Sequence, residues 1–290
     1  MKRREFITLL GGSAAAWPFA ARAQQPAIPA IGFLGAGLQN ARPYLMQRIR
    51  QGLNEAGLEE GRNVLVEYRF AEGHYDRLPG LTDELLRHDV AVIIADGTAA
   101  AVAAKTATGK VPIVFMTGGD PVSLGLVASL NRPDANLTGI TMFNTEMIAK
   151  RLELLGELLP KEAAIALLIN SASPNSKLTA RQAQAAAGAM GRVMQVIAAS
   201  SEAELEAAFA TLRQRQIAAV VVAADPFFDD HHELLVALVT RYAVRRSSNG
   251  GNLRKPARWP ATAQASPTPI VRSPSTLGEL SREANRASCR

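Results

Sequence analysis

Val90-Ala91-Val92-Ile93-Ile94-Ala95-Asp96-Gly97-Thr98-Ala99-Ala100-Ala101-Val102-Ala103-Ala104-Lys105-Thr106 holds a strand, a turn and a helix in direct succession. Val90–Ile94 is an apolar, β-branched run, short for a helix and suited to a buried strand. Asp96-Gly97-Thr98 supplies turn residues, and Ala99–Thr106 is a run of strong helix formers. A strand that leads into a helix does not pair with its successor through a hairpin, so the next strand returns parallel to it. The same alternation extends both ways. Strands are predicted at Ala30–Leu34, Val64–Phe70, Pro112–Phe115 and Asn136–Thr141, with helices near Tyr44–Ala56, Arg77–Arg87 and Val122–Leu130. A second series follows the helix Thr145–Leu159, with strands at Ala164–Ile169, Arg192–Ile197 and Ala218–Val222 and helices at Ser176–Met190, Ser201–Gln214 and His232–Tyr242. The two series, residues 24–141 and 142–244, predict an α/β protein of two doubly wound parallel-sheet lobes joined near residues 141–145.

Local signals support the helices. Ser201 followed by Glu204 forms a capping box, and Leu205, Ala208, Phe209 and Leu212 make one apolar stripe opposite Glu202, Glu206 and Arg213. Gly57 and Gly156 are expected to interrupt or end helical runs.

Charge separates the body of the chain from its ends. The 290 residues carry a net +6, which alone would suggest nucleic acid or a membrane surface. Residues 1–23 hold +3 and residues 245–290 hold +7, so the intervening body is net −4. A nucleic-acid-binding core loses its support. Lys2-Arg3-Arg4-Glu5-Phe6-Ile7, the apolar run Thr8–Ala21 and Ala21-Arg22-Ala23 have the three parts of an export signal cleaved after about Ala23. The paired arginines resemble a twin-arginine signal, which implies a periplasmic destination. No later stretch reads as a transmembrane helix. Cys289 is the only cysteine and cannot form an internal disulfide.

In doubly wound lobes ligands gather beyond the carboxyl ends of the strands. The candidate ligand-binding residues there are Gly37 and Leu38 after the first strand, Asp96, Gly97 and Thr98, then Thr117 and Asp120, then Asn144, and in the second lobe Asn170, Ser171, Asp225 and Phe227. Asp96-Gly97-Thr98 places a hydroxyl and free N–H groups at a helix start, which suits a carboxylate or phosphate, although Thr98 could equally cap its own helix. Asp225 could meet an ammonium group, with Phe227 and Phe228 as an apolar wall; the competing reading makes Asp225 a helix cap and the phenylalanines core. Together these residues describe a small-molecule cleft with polar anchors on both walls.

Catalytic patterns are weak. Gly32-Phe33-Leu34-Gly35-Ala36-Gly37 is no dinucleotide fingerprint, and neither a P-loop nor a G-x-S-x-G elbow is present. Adjacent His231 and His232 in Asp229-Asp230-His231-His232 cannot share a helix face, so a metal site is not expected. His74 and His88 stand alone. The expectation is a binding protein with no cofactor, no metal and no catalytic residues.

Several motifs together resemble the ABC transporter substrate-binding proteins of the tryptophan/tyrosine-type group. They are Gly52-Leu53-Asn54-Glu55-Ala56-Gly57, Gly61-Arg62-Asn63-Val64, Glu67-Tyr68-Arg69, Tyr75-Asp76-Arg77-Leu78-Pro79, Gly118-Gly119-Asp120-Pro121-Val122, Gly125-Leu126-Val127-Ala128-Ser129-Leu130-Asn131-Arg132-Pro133 and Ala224-Asp225-Pro226-Phe227-Phe228. The resemblance covers roughly residues 1–244. It implies a type I periplasmic-binding-protein fold, closure of two lobes about a small ligand such as an aromatic amino acid, and delivery to an ABC permease driven by a separate ATPase, the only route by which the chain would meet a membrane. It carries Thr98, Asp120, Asn170 and Asp225 over as ligand contacts. A sensory or regulatory module of the same fold, or an exported α/β enzyme, are the alternatives.

Residues 245–290 depart from that pattern. They hold five prolines, seven serines and nine Lys/Arg, and no apolar period is sustained, so disorder is expected. The family instead continues with a segment resembling Ile-Tyr-Gln-Trp-Arg-Glu-Phe. Permitted codons for Arg246 to Pro256, read from the third base, encode Ile-Phe-Gln-Trp-Arg-Glu-Phe-Ala-Glu-Ala. A reading-frame shift near residue 244 would explain the tail and leave the second lobe incomplete. The expected consequences are marginal folding and weak or no ligand binding.

Overall fold

The computed structural model describes residues 28–132, 136–144 and 147–244. The expected signal at 1–23 and the tail at 245–290 lie outside the described residues.

The first unit comprises β1 (Ala30–Gly35), α1 (Pro43–Glu55), β2 (Leu65–Phe70), a 3-10 turn (Tyr75–Arg77), α2 (Leu78–Arg87), β3 (Val92–Asp96), α3 (Thr98–Ala107), β4 (Ile113–Thr117) and β5 (Leu137–Thr141). Its strands form one parallel sheet in the order β2-β1-β3-β4-β5. The second comprises α4 (Met147–Leu158), β6 (Ile165–Ile169), α5 (Ser176–Ala189), β7 (Met194–Ala198), α6 (Glu202–Gln214), β8 (Ala219–Val222), α7 (Pro226–Asp230) and α8 (His232–Val244). Its parallel sheet runs β7-β6-β8.

Strand alternation assigns the core to two faces of each sheet. In the first unit Ile93, Ala95, Ile113 and Phe115 pack with Leu78 and Leu85 of α2 and the alanines of α3. Ile31, Val92 and Ile94 turn to the other face, where Leu53 of α1 lies. In β6, Ala166 and Leu168 meet α6, α7 and α8, while Ile165, Leu167 and Ile169 meet α4 and α5. Burial on both faces explains why these strands read as continuous apolar runs. The stripe Leu205, Ala208, Phe209 and Leu212 of α6 is buried, as its spacing predicts.

Several local expectations are corrected. Val122–Leu130 is not a helix. Leu124 N–H and Leu126 N–H close single turns on Asp120 and Pro121, and Gly125 at φ +66° then leaves the helical region. Gly156 does not end its helix but lies inside α4. β7 begins at Met194 rather than Arg192, where pairing with Ile165 of β6 starts, and the Arg192 guanidinium turns back to donate to the carbonyls of Gly156, Leu159 and Pro160 at the end of α4. Pro226–Asp230 forms α7, in line with the alternative reading of Asp225 as a helix cap. Among the described residues no helix is long and apolar enough to cross a membrane.

Candidate functional site

A parallel sheet opens a crevice where successive connections leave in opposite directions. In the first sheet that point lies between β1 and β3, and in the second between β6 and β8. Each crevice holds buried polar side chains, and hydrogen bonds join one to the other.

At the first, register sets Gly35 beside Asp96. The loop leaving β1 brings Arg42 back over the strand ends, where its Nη2 meets Asp96 Oδ2 at 2.6 Å with both side chains buried. At the second, Asn170 Nδ2 donates to Asp225 Oδ1 at 2.8 Å. Asp225 also caps α7 by accepting from Phe227 N–H, so the cap and cleft readings of Asp225 coexist. Phe227 and Phe228 are buried in the core of the second unit.

Among the described residues, three polar contacts join the loops at the two crevices. Tyr75 donates its hydroxyl to Asp225 Oδ1 at 2.6 Å. Leu38 N–H donates to Asp230 Oδ2 at 2.6 Å, and Arg42 Nε lies 3.0 Å from Asp230 Oδ1. That last pair is close in charge but poorly aligned, leaving both atoms buried without a formed hydrogen bond. Two glycines permit the approach. A Cβ on Gly37 would collide with the Asp230 carboxylate, and Gly97, at φ +99°, would place one 2.9 Å from Pro226.

The predicted residues thus divide. Gly37, Leu38, Asp96, Gly97, Asn170 and Asp225 converge at the two apposed crevices. Thr98 begins α3 without capping it, and its hydroxyl lies 2.7 Å from that of Thr117 at the end of β4. Asn144 N–H donates to the Gly118 carbonyl at 2.7 Å at the connection toward the second unit. Ser171 is exposed. Asp120 stands apart: its carboxylate accepts from the Ser123 hydroxyl and from the Val122 and Ser123 N–H groups, which close a turn. Arg42, Tyr75 and Asp230 were not among the predicted residues. Tyr75 follows β2, so the strand-end rule applied to that strand would have found it; Arg42 lies at the far end of its loop and carries no local signal.

Electrostatics follow from crowding. Burial pushes the Asp96, Asp225 and Asp230 carboxyls above their ordinary range, against the pull of Arg42 on Asp96 and Asp230 and of Tyr75 and Asn170 on Asp225. Asp229 keeps solvent contact at the rim, yet its carboxyl is pushed up to about 6, first by desolvation, with Arg42 pulling down and Asp230, Asp225 and Asp96 pushing up. Desolvation followed by the adjacent Asp225 raises the Tyr75 phenol, which stays a donor. The Ser123 hydrogen bond lowers Asp120. Three carboxyl groups, those of Asp96, Asp229 and Asp230, therefore act on one guanidinium, an excess suited to a cationic group. Beside them runs a groove of about 800 Å³ lined mainly by apolar surface, including Tyr75, Leu78, Ala99 and Val102 from the first unit and Ala172 and Pro174 from the second. Among the described residues no group of His, Cys, Asp or Glu is arranged to hold a metal ion.

Two doubly wound units that face each other across such a cleft define the type I periplasmic-binding-protein architecture. The sequence profile of the ABC transporter substrate binding protein family matches residues 39–242, well over half of the chain, and the chain belongs to that family. A curated "Tyrosine-binding protein" of Clostridioides difficile is 30% identical over 128 residues, 44% of this chain and 36% of that protein. The match thus spans little more than a third of the curated relative. A conserved domain protein from Vibrio cholerae superposes with a TM-score of 0.67 at 22% identity, covering 74% of this chain and 72% of that one. An ABC domain from Streptococcus pneumonia in complex with L-Trp gives 0.63 at 22% identity, covering 73% and 71%. These two likenesses establish the fold.

Proposed function

We propose that the chain is the solute-binding component of an ABC importer and holds an aromatic amino acid in the interlobe cleft. In this reading residues 24–141 and 142–244 are the two lobes, and residues 1–23 direct export to the periplasm, where the loaded protein would meet its permease and ATPase. The observation that carries the reading is the apposition of the two strand-end crevices, with Asp225 bonded to Tyr75 of the opposite lobe. The surplus of carboxyl groups suits an α-ammonium group, and the adjoining groove suits an aromatic body. The names of the curated relative and of the L-Trp complex fit the same ligand class.

Thermal melts and calorimetry with L-tyrosine, L-tryptophan and L-phenylalanine test this. A ligand present at a hundred times its Kd should stabilise the protein by about 2.7 kcal/mol. No upward shift with any of the three, on frame-restored protein that unfolds cooperatively, would remove the ligand assignment. The reading also takes residues 245–290 as translated out of frame, so sequencing the locus should reveal family-like sense in the alternate frame; its absence there would sink that part.

A further inference from the structure

Asp230 belongs to the second lobe, but its carboxylate sits in a pocket built by the first. Leu38 N–H donates to Oδ2 at 2.6 Å, and Arg42 Nε stands 3.0 Å from Oδ1. The Asp230 side chain is 1% exposed and that of Arg42 is 10% exposed. The cradle admits no side chain at position 37, since a Cβ there would strike the carboxylate and come within 3.0 Å of Arg42 Nη2. Glycine, a free backbone N–H and a guanidinium are the parts of a carboxylate-binding site. The Arg42 Nε–Asp230 alignment is poor enough to leave both atoms without a hydrogen bond, so the pocket is occupied but imperfectly satisfied.

We infer that Gly37, Leu38 and Arg42 form a binding site for a ligand carboxylate, and that Asp230 occupies it as an internal stand-in. The inference rests on the reading of the cleft as the ligand site. A carboxylate-bearing ligand would displace Asp230, take over the Leu38 N–H and Arg42, and leave the cluster at Asp225 for its ammonium group. An amine without a carboxylate would engage only the second half. Asp96, on the far side of Arg42, holds the guanidinium in place at 2.6 Å and so acts as a positioning residue.

The test uses the full chain carrying Asp230→Ala, which leaves a hole the size of a carboxylate, and follows hydrogen exchange at the Leu38 amide. Exchange should accelerate at least about tenfold as the N–H loses its acceptor. Acetate should restore protection and ethylammonium should not; with Arg42→Gln added, acetate should lose its effect. If Asp230→Ala does not fold, Asp230→Ser is measured by the same criteria. A folded variant whose Leu38 amide ignores acetate, or responds equally without Arg42, overturns the proposal.

A second arm compares L-tyrosine with tyramine. Removing the competing carboxylate should tighten L-tyrosine about tenfold and leave tyramine unchanged; equal effects on both count against the site. Acetate rescue without binding of any aromatic amino acid would uphold the carboxylate pocket and defeat only the ligand assignment, so the two failures are distinct.

Discussion

Tyr75 and Asp225 illustrate what a single contact does here. Both are buried, and the phenol is one of three donors to Asp225 Oδ1, with Asn170 and the Phe227 N–H. Tyr75→Phe keeps the ring and removes only the interlobe donor. A hydrogen bond to a charged or partly charged group contributes about 1.5–3 kcal/mol, so denaturant unfolding should show a loss of that size. A loss under about 0.5 kcal/mol would mean that the lobes are not held together at this point. At Gly37 the constraint is steric: Gly37→Ala should spread the lobes, seen as an increased radius of gyration in solution scattering, because the new methyl would collide with Asp230. The residues legible in the sequence, Asp96, Asn170 and Asp225 among them, lie at or within three residues of strand ends. Their polar character against an apolar run marks them without any knowledge of tertiary structure. The roles of Arg42 and Asp230 exist only once two lobes meet, which no local pattern encodes.

At the level of elements, the best-read helix is α6. Ser201 caps it by accepting from Glu204 N–H at 3.3 Å, as the sequence predicts. The reciprocal bond shifts by one residue: Glu204 Oε2 accepts from Ser200 N–H and Oγ rather than from Ser201. Ser201→Ala should therefore cost about 1 kcal/mol in unfolding free energy, typical for loss of a cap, and Ser201→Asp should leave stability nearly unchanged. α3 depends on small size instead. Ala100, Ala101 and Ala104 are fully buried against β3 and β4, which lets the helix lie close to the strand ends that shape the crevice. Ala101→Leu should cost about 1–3 kcal/mol by overpacking, measured by thermal melting. The misread segment Val122–Leu130 has helix-forming residues, but Gly125 and the turn closed on Pro121 override propensity.

Across the whole molecule, pH links the cleft to folding. Asp96, Asp225 and Asp230 all have carboxyls raised by burial, and Asp229 reaches about 6. An acid whose folded pKa exceeds its unfolded value of about 4 is bound more tightly to its proton in the native state. Its stabilising contribution is full below that unfolded value and is lost as pH rises through the folded one. Asp120, lowered by its Ser123 hydrogen bond, acts oppositely and loses its contribution as pH falls, but it belongs to a local turn away from the cleft. A matched comparison isolates the cleft. Asp230→Asn keeps the size of the side chain and removes one raised titration, so the melting temperature of the variant relative to the parent should increase from pH 5 to pH 8. The carboxylates surrounding Arg42 repel one another as they ionise, and the amide removes one of them. A difference that stays flat over this range, or falls, would show that Arg42 and the Leu38 N–H compensate the Asp230 charge in full.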